Sequence, residues 1–145
     1  MPNEREHTGG TRDNGELQGR TKQFALRVLK LVSALPKGQP GWTVAGQLPA
    51  SATSAASNDR AACRSRSRAE FIAKIGVVEE EADESGFWME MIMEGELLPR
   101  SMMMPLWREA HELTSIMAAS RRTAKRNQAT PNAFPNRQSA IGNWQ

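Results

Sequence analysis

Leu106, Ala110, Leu113, Met117, Ser120 and Ala124 follow one another by alternating steps of four and three residues. That alternation is the a/d seam of a helix packed along its whole length against other helices. A chain carrying such a seam has to supply the facing helices. The rest of the sequence does so, because strand signals are nearly absent. There is no sustained two-residue alternation, tyrosine is missing, and β-branched residues are thinly spread. At 145 residues the chain suits one domain. With 39% hydrophobic residues it can build one modest core, leaving some of its length outside.

Three further helices are predicted. The first covers residues 20–35, with Phe24, Val28, Leu31, Val32 and Leu35 on one stripe, and the segment 36–41 (PKGQPG) stops it. The second covers 42–63, its inner face made of Trp42, Val44, Ala45, Leu48, Ala52, Ala55, Ala56 and Ala62. Pro49 means that this helix either starts near Leu48 or is kinked there. The third covers 67–94, opened by Ser67 and Glu70 in the spacing of a capping box and closed by Gly95. Phe71, Ile75, Val78, Ala82, Ser85, Trp88 or Met89, and Ile92 form its core stripe, and Ile72, Val77, Phe87 and Met91 widen the apolar surface. A helix apolar over so much of its circumference is central, or faces both its own core and another subunit. The fourth covers 100–126, with Pro105 in or before its first turn. Met102, Met103 and Met104 read as gap-filling core. Four helices with short connections predict an all-α, antiparallel up-and-down four-helix bundle over residues 19–126.

The flanks are different. Residues 1–18 contain only Met1, Pro2 and Leu17 as non-polar residues and are predicted to be a disordered tail. Residues 127–145, with Pro131, Pro135 and four asparagines, are predicted to be a disordered or weakly docked tail, Trp144 being the docking residue in the second case. No apolar run approaches the ~20 residues of a membrane span, and the polar start carries no secretory signal. With a single cysteine, the protein is expected to be cytoplasmic and without a membrane partner.

The residues of the body are also familiar as strings. Arg20-Thr21-Lys22-Gln23-Phe24-Ala25-Leu26-Arg27, Ser51-Ala52-Thr53-Ser54, Asn58, and Arg60-Ala61-Ala62-Cys63-Arg64 come first. Ser67-Arg68-Ala69-Glu70-Phe71-Ile72-Ala73-Lys74 follows, with Glu79-Glu80-Glu81-Ala82-Asp83-Glu84-Ser85 and Phe87-Trp88 behind it. Together they resemble the bacterial four helix bundle protein family, whose relatives include proteins encoded in intervening sequences of large-subunit ribosomal RNA genes. The resemblance covers about residues 20–126. It implies a four-helix bundle and a ring-shaped homo-oligomer, commonly a pentamer. A related branch serves diversity-generating retroelements as an accessory protein that engages reverse transcriptase and nucleic acid, so RNA, DNA or a reverse-transcriptase-like protein are the partners it implies. The sequence departs from the family pattern at Leu48-Pro49-Ala50-Ser51, at Asp59 and at Gly86, which is expected to weaken helices two and three.

The formal net charge is only +3, but charge is segregated. Arg60, Arg64, Arg66, Arg68 and Lys74 face a single acid, Glu70, between residues 60 and 74; Arg121, Arg122, Lys125 and Arg126 form a second basic cluster. Residues 79–96 hold Glu79, Glu80, Glu81, Asp83, Glu84, Glu90, Glu94 and Glu96. The functional reading is salt-sensitive, sequence-tolerant contact with nucleic-acid phosphates. The alternative is a protein-only scaffold, in which the cations pair with acids of a neighbouring subunit. Glu79, Glu80, Asp83, Phe87 and Met91 are the expected interface residues. The start of helix three and the end of helix four are expected at opposite ends of the bundle, so that only a ring would join the two clusters.

Catalysis is not expected. A carboxylate-bridged di-iron bundle needs two Glu-x-x-His motifs. Here His111 has Arg108 three residues before it, and the other histidine, His7, lies in the first tail. No metal or other cofactor is predicted. Cys63 sits among Arg60, Arg64 and Arg66, which would favour its thiolate. Without a glycine-rich elbow it reads as a small buried cysteine.

Overall fold

The structure, a computed structural model, describes residues 14–129. It contains four helices, α1 (Asn14–Val32), α2 (Gly41–Ala62), α3 (Arg68–Glu94) and α4 (Arg100–Ala129). They form the antiparallel bundle that the periodicity predicts. α2 packs along α1 and α3, and α3 packs along α4. The outer parts of both tails, residues 1–13 and 130–145, lie outside the described residues. No helix among the described residues is long and apolar enough to cross a membrane.

The a/d seam of α4 is buried at every position, Leu106 through Ala124. It faces two core clusters. The larger joins Phe24, Val28, Leu48, Ala52, Ala82, Met89, Ile92, Met103, Leu106 and Leu113. The smaller joins Ala55, Ala62, Phe71, Ile75, Val78, Met117 and Ala124. The small side chains of Ala52, Ala55 and Ala62 line α2, so its neighbours pack close to its backbone. Met89, not Trp88, takes the inward position on α3. Of the three consecutive methionines, Met103 is fully buried while Met102 is 49% exposed, so the cluster only partly fills the core.

Several boundaries and faces differ from the sequence expectation. α1 begins at Asn14, which takes residues 14–18 out of the predicted tail. Leu17 packs on both core clusters, extending the stripe of Thr21, Phe24 and Val28 by one more turn. α2 is continuous across Pro49, so it does not start near Leu48. Trp42 is 62% exposed, against its predicted inward position. It lies about two residues, or roughly 200°, from Val44 on the helix, and the neighbouring Gly41 occupies the buried site instead. α4 runs three residues past residue 126, and Pro105 lies in its second turn rather than in or before the first.

Two polar pairs are buried in this small-residue core. Ser51 and Ser85 share a hydrogen bond of 2.9 Å between α2 and α3. The Thr21 hydroxyl donates to the Asp59 carboxylate at 2.9 Å, tying α1 to α2. Asp59 is 1% exposed, so that donor offsets part of the cost of burying its oxygens. Thr21→Val is expected to lower unfolding free energy by about 1–3 kcal/mol, because it strips a donor from a buried acceptor. The double change Thr21→Val with Asp59→Leu is expected to restore most of that loss, since both polar partners are then gone. Urea unfolding of both variants checks this; a neutral Thr21→Val would contradict it.

Candidate nucleic-acid interface

The end of α2 and the start of α3 are locked together by local hydrogen bonds. Cys63 N–H donates to Asp59 O (3.2 Å), Arg64 N–H to Ala61 O (3.0 Å) and Ser65 N–H to Ala62 O (3.1 Å), closing α2. Ser67 then caps α3, its Oγ accepting from Glu70 N–H at 3.1 Å. The Glu70 carboxylate reaches back to accept from Arg66 N–H at 3.0 Å, one residue before the N-cap that a standard capping box would use. Arg64 and Arg66 therefore project from a turn braced on both sides. Glu70, the one acid inside this basic run, is engaged in holding that turn.

The second basic cluster arrives at the same place. Ala62 of α2, Phe71 and Ile75 of α3, and Ala124 of α4 share one core cluster, so the end of α2, the start of α3 and the end of α4 are adjacent. This corrects the expectation that the clusters occupy opposite ends. In an antiparallel pair the start of one helix lies beside the finish of the next. Arg121 confirms the register: its Nε donates to Glu79 Oε2 at 2.7 Å, and its Cδ carbon lies 3.7 Å from where a Cβ on Gly76 would be.

Arg60, Arg64, Arg66, Arg122, Lys125 and Arg126 are exposed at this end, and Arg68, Lys74 and Arg121 are half-buried. Among the described residues, Arg60, Arg64, Arg66, Arg122 and Lys125 make no salt bridge. Lys125 and Arg126 also lie near the negative end of the α4 dipole, which they offset. The acid Asp59 is buried beneath, in its bond with Thr21. The result is a concentration of cations at one end of a protein whose overall charge is small. Nearby on α1, Arg20 is tied to α4, with Nε donating to Glu109 Oε1 at 3.0 Å and Nη2 lying 2.9 Å from Glu112 Oε1. Those carboxylates hold its guanidinium firmly protonated.

The expected oligomer residues divide. Glu80, Phe87 and Met91 fall with Ala73, Val77 and Glu84 on a single exposed stripe of α3, at successive steps of three and four. Phe87 is 48% exposed, and its ring meets Trp88 edge-on at 5.1 Å. Asp83 is exposed at the edge of that stripe, three residues from Glu80 and four from Phe87, whereas Glu79 points to α4, engaged with Arg121 inside the same chain. The Glu79–Arg121 pair is made within the chain, where the scaffold alternative expects such pairs between subunits. Glu81 lies half-buried among these acids; burial first, then the charges of Glu84 and Glu80, push its carboxyl upward.

Cys63 is buried, but its neighbours do not activate it. Burial pushes its thiol above the usual range; a hydrogen bond with Gln18 opposes this and the charge of Asp59 adds to it. The arginines flanking it in sequence are turned to solvent. Alkylation by iodoacetamide at pH 7.5 is expected to be at least about tenfold slower than for an unhindered thiol, and to quicken steadily with rising pH as the buried thiol ionises. The sign for stability follows the same shift. The contribution is complete below the unfolded value of 9.0 and is lost as pH rises through the folded one. Mass spectrometry of timed quenches checks the labelling; rapid modification at pH 7.5 would contradict it. Among the described residues no group of three His, Cys, Asp or Glu side chains is placed to hold a metal ion.

No family model matches the chain, and no curated protein does. A crystal structure of a protein of unknown function from the S23 ribosomal protein family of Bacteroides thetaiotaomicron does match. It aligns with a TM-score of 0.66 and 26% identity, over 71% of this chain and 95% of that one. The chain is thus similar, in fold and in sequence, to a bacterial helical protein over nearly that protein's full length.

Proposed function

We propose that this protein is a non-catalytic helical bundle that assembles into a homo-oligomeric ring and binds nucleic acid, or a nucleic-acid-handling protein, through its basic end. The observation that carries the reading is the convergence of the two basic clusters at one end, around a turn braced by Ser67 and Glu70. Separated in sequence by about half the bundle, they meet through the antiparallel order of α3 and α4. Their mutual repulsion is tolerated, and phosphates would relieve it. Membership of the four helix bundle protein family is part of the proposal. It is supported by the strings quoted above and by the likeness to the Bacteroides thetaiotaomicron protein. A pentamer, and a reverse-transcriptase-like partner, are what that family suggests. The exposed stripe of Val77, Phe87 and Met91 supports assembly, since among the described residues nothing covers these apolar side chains.

The competing scaffold reading needs the same cations for bonds between subunits. The Arg121–Glu79 pair, made within one chain, engages one cation that either reading would use. Light scattering on a sizing column, at low and high salt and with a mixed RNA, separates the two. The expected result is a multiple of the monomer mass in all conditions, with RNA co-eluting only at low salt. An oligomer that ignores RNA and falls apart in high salt would establish the scaffold instead.

A further inference from the structure

The basic end has a chemical character that narrows its ligand, on the footing of the nucleic-acid reading above. Every exposed group singled out there is a guanidinium or an ammonium, from Arg60, Arg64 and Arg66 to Arg122, Lys125 and Arg126. Among the described residues no exposed aromatic accompanies them. Phe71, the one ring in that core cluster, is 5% exposed and packs inward. The exposed rings, Trp42 and Phe87, belong to the other half of the bundle, Trp42 opening α2 and Phe87 lying toward the finish of α3.

Single strands are held by stacking successive bases on aromatic side chains, worth about 1–3 kcal/mol per base, alongside phosphate contacts. Among the described residues the basic end presents no exposed ring, so that term is forgone there and charge remains. Charge alone favours the ligand with the densest phosphates. A duplex carries one negative charge per ~1.7 Å of axis, and each neutralised phosphate releases more counterion from it (~0.9) than from a single strand (~0.7). We infer that the basic end takes double-helical nucleic acid, gripping phosphates across the braced 64–66 turn and the last turns of α4 without reading bases.

The test uses the full chain and fluorescence anisotropy. The probes are duplex RNA and duplex DNA of about 20 base pairs and their separate strands, all of mixed sequence, across a salt series. Each duplex is expected to bind about tenfold or more tightly than its own strands at ~100 mM salt. A preference confined to the RNA duplex or to the DNA duplex also supports the inference and identifies the source. Replacing Arg64, Arg66, Arg122 and Lys125 together by Gln should weaken duplex binding about 100-fold and flatten the salt slope by about one unit per cation removed, with helicity by circular dichroism unchanged. The pair Phe134→Ala and Trp144→Ala, removing the aromatic residues of the C-terminal segment, should leave duplex affinity unaltered. Single strands binding as tightly as duplexes would overturn the duplex inference and leave the broader reading standing. Failure of every probe to bind would overturn both the duplex inference and the direct nucleic-acid binding it rests on.

Discussion

Phe24→Ala is expected to cost about 3–5 kcal/mol of unfolding free energy, the largest effect of any single truncation considered. The ring is 1% exposed and lies in the larger core cluster with Val28, Leu48, Met89 and Leu113. Removing it deletes apolar burial and also leaves a cavity that three other helices must collapse into. α1 is the helix most dependent on this one residue. Its remaining inward side chains are Leu17, Thr21, Ala25, Val28, Leu31 and Val32, mostly small or only partly buried. A domain of this size has about 5–15 kcal/mol in total, so the variant should unfold at a much lower urea concentration. Leu26→Ala is the control on the same helix: at 48% exposure it should change stability by less than about 0.5 kcal/mol. Similar midpoints for the two variants would show that α1 is not held by this core.

Gly41→Ala should be the second large effect, about 3 kcal/mol, although it adds a single methyl group. A Cβ at Gly41 would run into the carbonyl oxygen of Pro36 and stand 3.1 Å from its carbon, and both are backbone atoms. A side chain could rotate away; this carbonyl can move only with the turn joining α1 to α2. Gly46→Ala, five residues further along the same helix, is predicted to have the opposite sign. Nothing lies within 4 Å of its Cβ position, so alanine should add about 0.5–1 kcal/mol through helix propensity. Thermal unfolding of the two variants side by side reads both signs. A Gly41→Ala protein as stable as the parent would mean that the α1–α2 turn is pliable.

The parts of this fold that were legible in the sequence are those where one local rule acted alone. The a/d spacing from Leu106 to Ala124 specified the buried face of α4, and Ser67 with Glu70 specified the start of α3. Trp42 was misjudged because a large aromatic outweighed its phase on the helix, whereas Gly41 has no side chain to announce its burial. Leu17 stands almost alone in the polar stretch 1–18 and so reads as tail, yet a single well-placed leucine was enough for another turn of α1. Ser51 and Asp59 carried no hydrophobic signal, and their burial depends on partners, Ser85 and Thr21, that only the tertiary structure supplies. The candidate interface was legible residue by residue but not as a unit. Arg60 through Arg68 and Arg121 through Arg126 were each visible as basic runs. That they meet follows from the antiparallel order of α3 and α4, a topological fact that the sequence expectation had reversed.

As proposed, the two basic clusters, which meet at one end, act as a single phosphate-binding surface. The measurement that tests this most directly is the sizing column with RNA, repeated on a protein in which Arg64 and Arg66 from one cluster and Arg122 and Lys125 from the other are changed to Gln, singly by cluster and together. Changing either cluster alone should abolish most low-salt co-elution while the particle mass stays the same, because both contribute to one surface. Full co-elution with either cluster removed, or with all four cations removed, would contradict the account.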